Sequence, residues 1–247
     1  MQYPGGKSSP GTYQRIINLI PPHRIYVEPF LGGGAVYRFK KLAEISFLID
    51  KDPTVISNFA GSARANTFCS QGCALEALPA FAGVEDAFIY CDPPYHPESI
   101  NFPSKYMFDL DAAGHARLLS IILNARAHVA ISGYDHPLYT STLQHWNRVD
   151  YLQITRSGKM HPESLWYNYP TPDHLHDHSY AGWTHIDRQR IRRKISRLFA
   201  KFDALPSYER LAVLSAIEEK YFRPTGQKIT LCQDSCPPVY LKPLFRK

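Results

Sequence analysis

Nothing in this chain of 247 residues approaches the ~20 consecutive apolar residues that a membrane-spanning helix needs, so no membrane partner is expected. The opening stretch MQYPGGKSSP lacks the apolar core of a signal peptide. Cysteine is scarce and odd in number: Cys69 and Cys73 are four apart, as are Cys232 and Cys236, and Cys91 stands alone. That pattern argues against a disulfide framework. The spacing is not that of a zinc ribbon and no histidine pair stands beside it at ligand spacing, so no metal is expected and the cysteines read as small buried side chains. Internal repeats are absent too. A soluble, cytoplasmic protein is the expectation, and an apolar share of 44% suits a folded domain rather than a disordered one.

Basic charge is missing from most of the chain. Residues 1–179 hold 14 Lys/Arg against 16 Asp/Glu, a net of −2, whereas residues 180–247 hold 14 against 6, a net of +8. A local excess of this kind suits a polyanionic partner. The two regions are expected to be separate: a catalytic domain over 1–179, and a basic helical extension with an irregular tail over 180–247.

Along the first region, short β-branched and aromatic runs alternate with helical patterns. Strands are expected at residues 24–30, at 45–49 ending on Asp50, around 67–69, at 87–91, at 128–132, at 149–155 and at 165–169, with Gly158 in the last turn. Helices are expected near 35–41, 53–60, 73–78 and 112–125, and residues 96–107 read as a loop. Strands alternating with helices mean a mostly parallel α/β sheet, here with antiparallel additions at its end. Beyond a Pro- and His-rich linker at 170–180, Ile191, Ile195, Leu198, Phe199 and Phe202 share one face of a helical stretch whose basic part is 187–201, and this stripe is expected to dock on the catalytic domain or on the 207–221 helix. A second helix is expected over 207–221, capped by Ser207.

Two places carry chemistry. The strand Arg24–Phe30 runs into Gly32-Gly33-Gly34, and the next strand ends on Asp50. A βαβ unit sets such a carboxylate beside the glycine turn, where it can accept hydrogen bonds from ribose hydroxyls. The turn lacks the GxGxxG spacing of a dinucleotide site, so a nucleoside-containing ligand is the reading. The second place is Asp92-Pro93-Pro94-Tyr95, at the end of the most apolar strand. Two prolines hold the chain extended without competing N–H donors. Asp92 and the Pro93 carbonyl can then both accept hydrogen bonds from one amine, and Tyr95 offers a face on which a base can stack.

Three blocks in order, Tyr3-Pro4-Gly5-Gly6-Lys7, Tyr26 to Gly34 and Tyr90 to Tyr95, resemble the adenine-N6 DNA methyltransferases of the alpha class, the relatives of DNA adenine methylase. Ile131-Ser132-Gly133-Tyr134 and Leu165-Trp166-Tyr167-Asn168-Tyr169 look like later segments of the small members of that family, and the likeness covers about residues 3–203. The resemblance implies a Rossmann-like S-adenosylmethionine-dependent methyltransferase sheet with a small C-terminal helical extension. It implies S-adenosylmethionine as methyl donor, held by Glu28, Pro29, Phe30, Gly32, Gly33 and Gly34, with Asp50 on the ribose. Tyr3 and Lys7 would lie near the donor's methionine end, where Lys7 could pair with its carboxylate. Asp92, Pro93, Pro94 and Tyr95 would form the catalytic clamp. The partner implied is double-stranded DNA whose target adenine is flipped out, and a restriction partner would fit such an enzyme.

The chain departs from this pattern in two ways. At the third strand the family commonly has an acid contacting the donor adenine, and here Gln71 takes its place. Only 41 residues separate Asp50 from Asp92, which leaves no room for the recognition domain that larger relatives insert there. Recognition then falls to residues 96–107, to residues 155–169 or to the basic tail, with Arg190, Arg193 and Arg197 as phosphate-binding candidates. Cytosine-N4 enzymes usually replace the first clamp residue with Ser and protein-glutamine methyltransferases use an Asn-rich variant, so Asp92 favours adenine. Neither motif reads the sugar, which leaves RNA adenine open. A non-catalytic nucleic-acid-binding protein on the same scaffold is the competing class.

Overall fold

The computed structural model describes residues 7–99, 108–154 and 160–222. Tyr3, Gly158, most of the 96–107 loop, part of the 155–169 segment and the tail from 223 lie outside the described residues. The elements are α1 (Thr12–Ile17), β1 (Ile25–Glu28), α2 (Ala35–Phe39), β2 (Ile45–Asp50), α3 (Pro53–Ala60), β3 (Thr67–Gln71), α4 (Ala74–Ala82), β4 (Ala87–Cys91), α5 (Ala112–Leu123), β5 (His128–Gly133), α6 (Pro137–Thr142), β6 (Asn147–Ile154), β7 (Met160–Tyr167), α7 (His185–Asp203) and α8 (Ser207–Tyr221).

The strands form a seven-stranded sheet in the order β3-β2-β1-β4-β5-β7-β6. Strands β1 to β5 are parallel, while β7 runs antiparallel to β5 and to β6. This is the Rossmann-like α/β sheet that the sequence pattern implies, closed on one side by a hairpin. Chain order reverses between β1 and β4, which leaves a crevice outside the carboxyl ends of those two strands. Glu28 closes β1 and Asp92 follows β4, so both carboxyl groups border that crevice.

The central strands are buried on both faces, as an apolar run of the type Ala87-Phe88-Ile89-Tyr90-Cys91 requires. Alternate residues feed two cores. Tyr26, Leu48, Phe88, Tyr90 and Tyr167 pack with Ile16 and Ile17 of α1, Val36 of α2, and Val55 and Phe59 of α3. Val27, Ile89, Cys91, Val129, Ile131 and Trp166 pack with Leu75 and Leu78 of α4 and Leu118, Leu119 and Ile122 of α5. Side-chain caps start α3, where Asp52 accepts from the Thr54 N–H at 2.8 Å, and α5, where Asp111 accepts from the Gly114 N–H at 2.7 Å. Of the cysteines described, Cys91 is buried as expected, whereas Cys69 and Cys73 are half-buried.

The chain divides into two compact units, residues 1–191 and 192–247. The segment after residue 179 thus begins within the first unit. Asn18 Nδ2 donates to the Tyr180 and Gly182 carbonyls at 2.7 and 3.0 Å, and the buried Arg188 donates to the Gly182 and Trp183 carbonyls at 3.1 and 3.0 Å. Ile195, Leu198 and Phe199 are exposed, Phe199 by 63%, as are Leu211, Leu214, Ile217 and Tyr221 of α8.

Candidate active site

The glycine turn after β1 is built by its own backbone. Leu31 N–H donates to the Ile49 carbonyl at 3.0 Å and Gly34 N–H to the Leu31 carbonyl at 2.7 Å, closing the loop over the end of β2. Gly32 and Gly34 sit at φ of 47° and 57°, the left-handed region that glycine enters without steric cost. A Cβ on Gly34 would also collide with the Phe59 ring. Asp50 fastens this turn: its Oδ2 accepts from the Gly32 N–H at 2.8 Å and its Oδ1 from the Asp52 N–H at 2.9 Å. Burial raises the Asp50 pKa, and these backbone N–H groups oppose the rise.

The turn lines a cavity at the β1/β4 crevice with about 920 Å³ of empty space, open solvent at its mouth included. Its walls include Lys7, Glu28, Pro29, Phe30, Gly32, Gly33, Gly34, Asp50, Asp92, Pro93 and Pro94, so both groups of residues singled out in the sequence converge on one space. Tyr95 does not line it. Gln71 does not either. It pairs with Asp50 at the end of edge strand β3, and its side chain is exposed. There the Gly72 N–H donates to the Asp50 carbonyl at 2.9 Å, and the turn brings Cys73, Ala74 and Leu75 to the wall instead. Phe108 and Leu110 supply further apolar wall, and Lys51 a cation, none of which sequence motifs singled out.

Glu28 is buried at the cavity floor, where Tyr26 Oη donates to its Oε2 at 2.6 Å. Burial is the main cause that lifts its pKa to about 8, and Asp92 nearby adds to the rise. A cation placed beside it would favour the ionised form.

Asp92 stands at the other end of the cavity. Its Oδ1 accepts two hydrogen bonds, from Lys7 Nζ at 2.6 Å and from Ser132 Oγ at 2.7 Å. Because Ser132 donates to Asp92, the Tyr90 hydroxyl 3.1 Å away donates to Ser132. Among the described residues, nothing donates to Asp92 Oδ2 or to the Pro93 carbonyl. Two acceptors beside a cavity, one of them anionic, are what a neutral amine with two N–H groups requires. Lys7 is 3% exposed and lies between two carboxylates, Asp92 and Glu163, with Glu163 Oε1 at 3.0 Å. Burial works to lower its pKa, but the two carboxylates outweigh that and hold the ammonium charged. Its ammonium is therefore held against the clamp aspartate, while the side chain also lines the cavity.

Tyr95 donates to Glu163 Oε1 at 3.3 Å and stacks on Tyr134 with ring centroids 3.8 Å apart at 7°. Tyr134 in turn lies 4.1 Å from His161. One face of Tyr95 is thus covered by another aromatic ring.

Beside the clamp, His96, Glu98 and His136 offer ligand atoms within 4.8 Å of one another. Both rings accept backbone N–H groups at Nδ1, from Glu98 at 3.3 Å and from Leu138 at 3.2 Å. Nε2 then carries the proton, and in His136 it faces Glu98 Oε2 at 3.2 Å. Glu98 thus meets His136 through its carboxylate and His96 through its backbone N–H, and the two rings stack with centroids 3.8 Å apart. Of the basic-helix residues, Arg190, Arg193 and Arg197 are all exposed. Arg190 lies 3.6 Å from Asp187, and Arg197 donates to the Arg193 carbonyl.

No protein-family model and no curated protein matches the chain. Solved structures that resemble it in the course of the backbone include the following three. A precorrin 8W decarboxylase from Methanobacterium thermoautotrophicum is 15% identical with a TM-score of 0.45, over 68% of this chain and 93% of that one. An rRNA methylase from Streptococcus thermophilus is 14% identical with a TM-score of 0.42, over 63% and 93%. A dimethyladenosine transferase from Plasmodium falciparum is 15% identical with a TM-score of 0.43, over 65% and 62%. At these values the likenesses decide nothing about the reaction, which rests on the chemistry of the site.

Proposed function

We propose that this protein is an S-adenosylmethionine-dependent methyltransferase that methylates the exocyclic N6 of adenine in double-stranded DNA. The observation that carries the reading is the single cavity that joins the Asp50-fastened glycine turn to Asp92 and the Pro93 carbonyl. The residues present fit the donor. Asp50 retains lone pairs for ribose hydroxyls, the glycine turn admits close approach of a ligand, and Ala74, Leu75 and Phe108 offer apolar surface to a purine. Glu28 supplies an acid that becomes anionic beside a cation.

When bound, S-adenosylmethionine supplies a methyl group on a sulfonium sulfur. The protein's part is to make a poor nucleophile attack it. The lone pair of an adenine amine is delocalised into the ring. Asp92 Oδ2 and the Pro93 carbonyl, each accepting one N–H, favour a tetrahedral nitrogen with that pair localised. The Asp92 carboxylate stabilises the positive charge that develops on nitrogen and accepts the proton that nitrogen loses. Because Oδ1 is held by Lys7 and Ser132, the carboxylate cannot turn away, and orientation adds to the rate. A duplex buries the amine, so the base is flipped into the site, and Tyr95 together with Tyr134 provides an aromatic platform beside it. The exposed arginines of α7 hold the phosphate backbone.

The experiment is transfer of a labelled methyl group from S-adenosylmethionine to duplex DNA, to RNA and to protein in parallel, followed by nucleoside analysis. Label in N6-methyladenine from DNA supports the reading. Label only in RNA, only in N4-methylcytosine or only in protein replaces the substrate. Failure to bind the donor at all would make the chain a non-catalytic scaffold.

A further inference from the structure

We infer that Glu163 is a positioning residue of the methyl-transfer site, acting on Asp92 through Lys7 and on Tyr95 directly. The inference deepens the methyltransferase reading and rests on it.

Glu163 belongs to β7, in a stretch without a sequence motif. Antiparallel pairing brings it to the clamp: Gly133 at the end of β5 pairs with Ser164, while Cys91 at the end of β4 pairs with Ile131. The first residues of β7 therefore lie beside the carboxyl ends of the parallel strands, where Asp92 and Ser132 are. Glu163 is fully buried. Its Oε1 takes Lys7 Nζ at 3.0 Å and Tyr95 Oη at 3.3 Å. A buried carboxylate is costly unless it is paired, and one left without a purpose would be replaced by an apolar side chain at little loss. Here it holds one side of an ammonium whose other side is on Asp92.

The consequence is geometric. Lys7 and Asp92 are 85 residues apart, and their contact needs the lysine to be held at a fixed point. With Glu163 behind it, the ammonium stays on Oδ1, and Oδ2 is the oxygen left for the amine. The same carboxylate fixes the hydroxyl of Tyr95 and with it the plane of the ring. Burial lifts the Glu163 pKa while the Lys7 ammonium opposes the rise.

The test compares wild type, Glu163→Gln, Lys7→Met and the double variant, using methyl transfer to adenine-containing duplex DNA and donor binding by calorimetry. Glu163→Gln keeps the shape and removes the charge. Expected are a fall in kcat of at least ~10-fold, about 1.4 kcal/mol, a donor dissociation constant within two-fold of wild type, and an altered pH–rate profile. The double variant should lose less than the product of the two single losses, because Glu163 acts on Asp92 through that lysine. Wild-type kcat in Glu163→Gln, multiplicative losses in the double variant, or a loss of donor binding matching the loss of rate would each overturn the inference. Should Glu163→Gln fail to fold, Glu163→Asp, which keeps the charge but shortens the reach, is judged by the same criteria. If wild type binds the donor but methylates no adenine, the substrate reading has failed. The positioning role is then decided by the protected Lys7 ammonium signal in nitrogen-15 NMR. Loss of that signal in Glu163→Gln supports it, and an unchanged signal overturns it.

Discussion

Replacing Asp92 by asparagine should nearly abolish methyl transfer without disturbing the fold. The structure says which way the new amide turns. Lys7 Nζ and Ser132 Oγ both donate to Oδ1, at 2.6 and 2.7 Å, and only an oxygen can accept from them. The asparagine oxygen therefore stays there, and its NH2 takes the place of Oδ2. The group facing the substrate amine becomes a donor, so one of the two acceptors is lost along with the negative charge. Removing one such stabilising group typically costs 100-fold or more, about 2.7 kcal/mol of transition-state energy, and the reversed polarity adds to that. The assay is single-turnover transfer from labelled S-adenosylmethionine, with donor affinity measured separately and melting compared with wild type. Donor affinity should change little, because the glycine turn and Asp50 lie at the other end of the cavity. Turnover within ten-fold of wild type would refute the placement of Asp92 at the reacting nitrogen.

Other expectations follow from the same geometry. Asp50→Ala should weaken donor binding by ~1.5–3 kcal/mol in calorimetry, the scale of hydrogen bonds to a charged acceptor. Gln71→Ala should leave that affinity unchanged, since its side chain is exposed outside the cavity. Glu28 has a folded-state pKa of about 8, above its usual value, so the folded protein holds a proton that the unfolded chain has released. Stability should therefore fall as pH rises from ordinary carboxyl values to 8 and level off beyond, and Glu28→Gln should remove that slope in urea unfolding. Cationic donor favours ionised Glu28, so affinity should rise between pH 6 and 7.5 by up to ~10-fold per unit, and that dependence should also vanish in Glu28→Gln. Neutralising Arg190, Arg193 and Arg197 together should weaken binding to all DNA sequences alike and lower the salt slope by about 0.9 for each phosphate no longer neutralised. Superimposable salt curves would remove the helix from the interface.

The parallel strands were legible because each is a short β-branched or aromatic run ended by a turn residue, and the two motifs announced their own positions. Helix α6 was not. It begins at Pro137 and buries a single tyrosine, Tyr139, so it shows no apolar stripe of helical period. Gln71 was placed at the right strand end, but β3 is the sheet edge, and there the chain turns so that residues 73–75 meet the cavity. The partners of Asp92 were hidden for a different reason. Lys7, Ser132 and Glu163 come from the segment before α1, from β5 and from β7, and the last two reach Asp92 and Lys7 because β5 pairs with β4 and β7 with β5. Pairing across a sheet leaves no mark in local spacing. The exposed stripe of α7 is the converse, since periodicity marks an apolar face without saying whether anything covers it.

The central claim is tested most directly by base-resolved mapping of methylation on mixed-sequence duplex DNA, incubated with S-adenosylmethionine and either wild type or Asp92→Asn. The account predicts N6-methyladenine at a defined set of sites with wild type and none above background with the variant. Unmodified adenines with wild type, while the donor is bound, would contradict it.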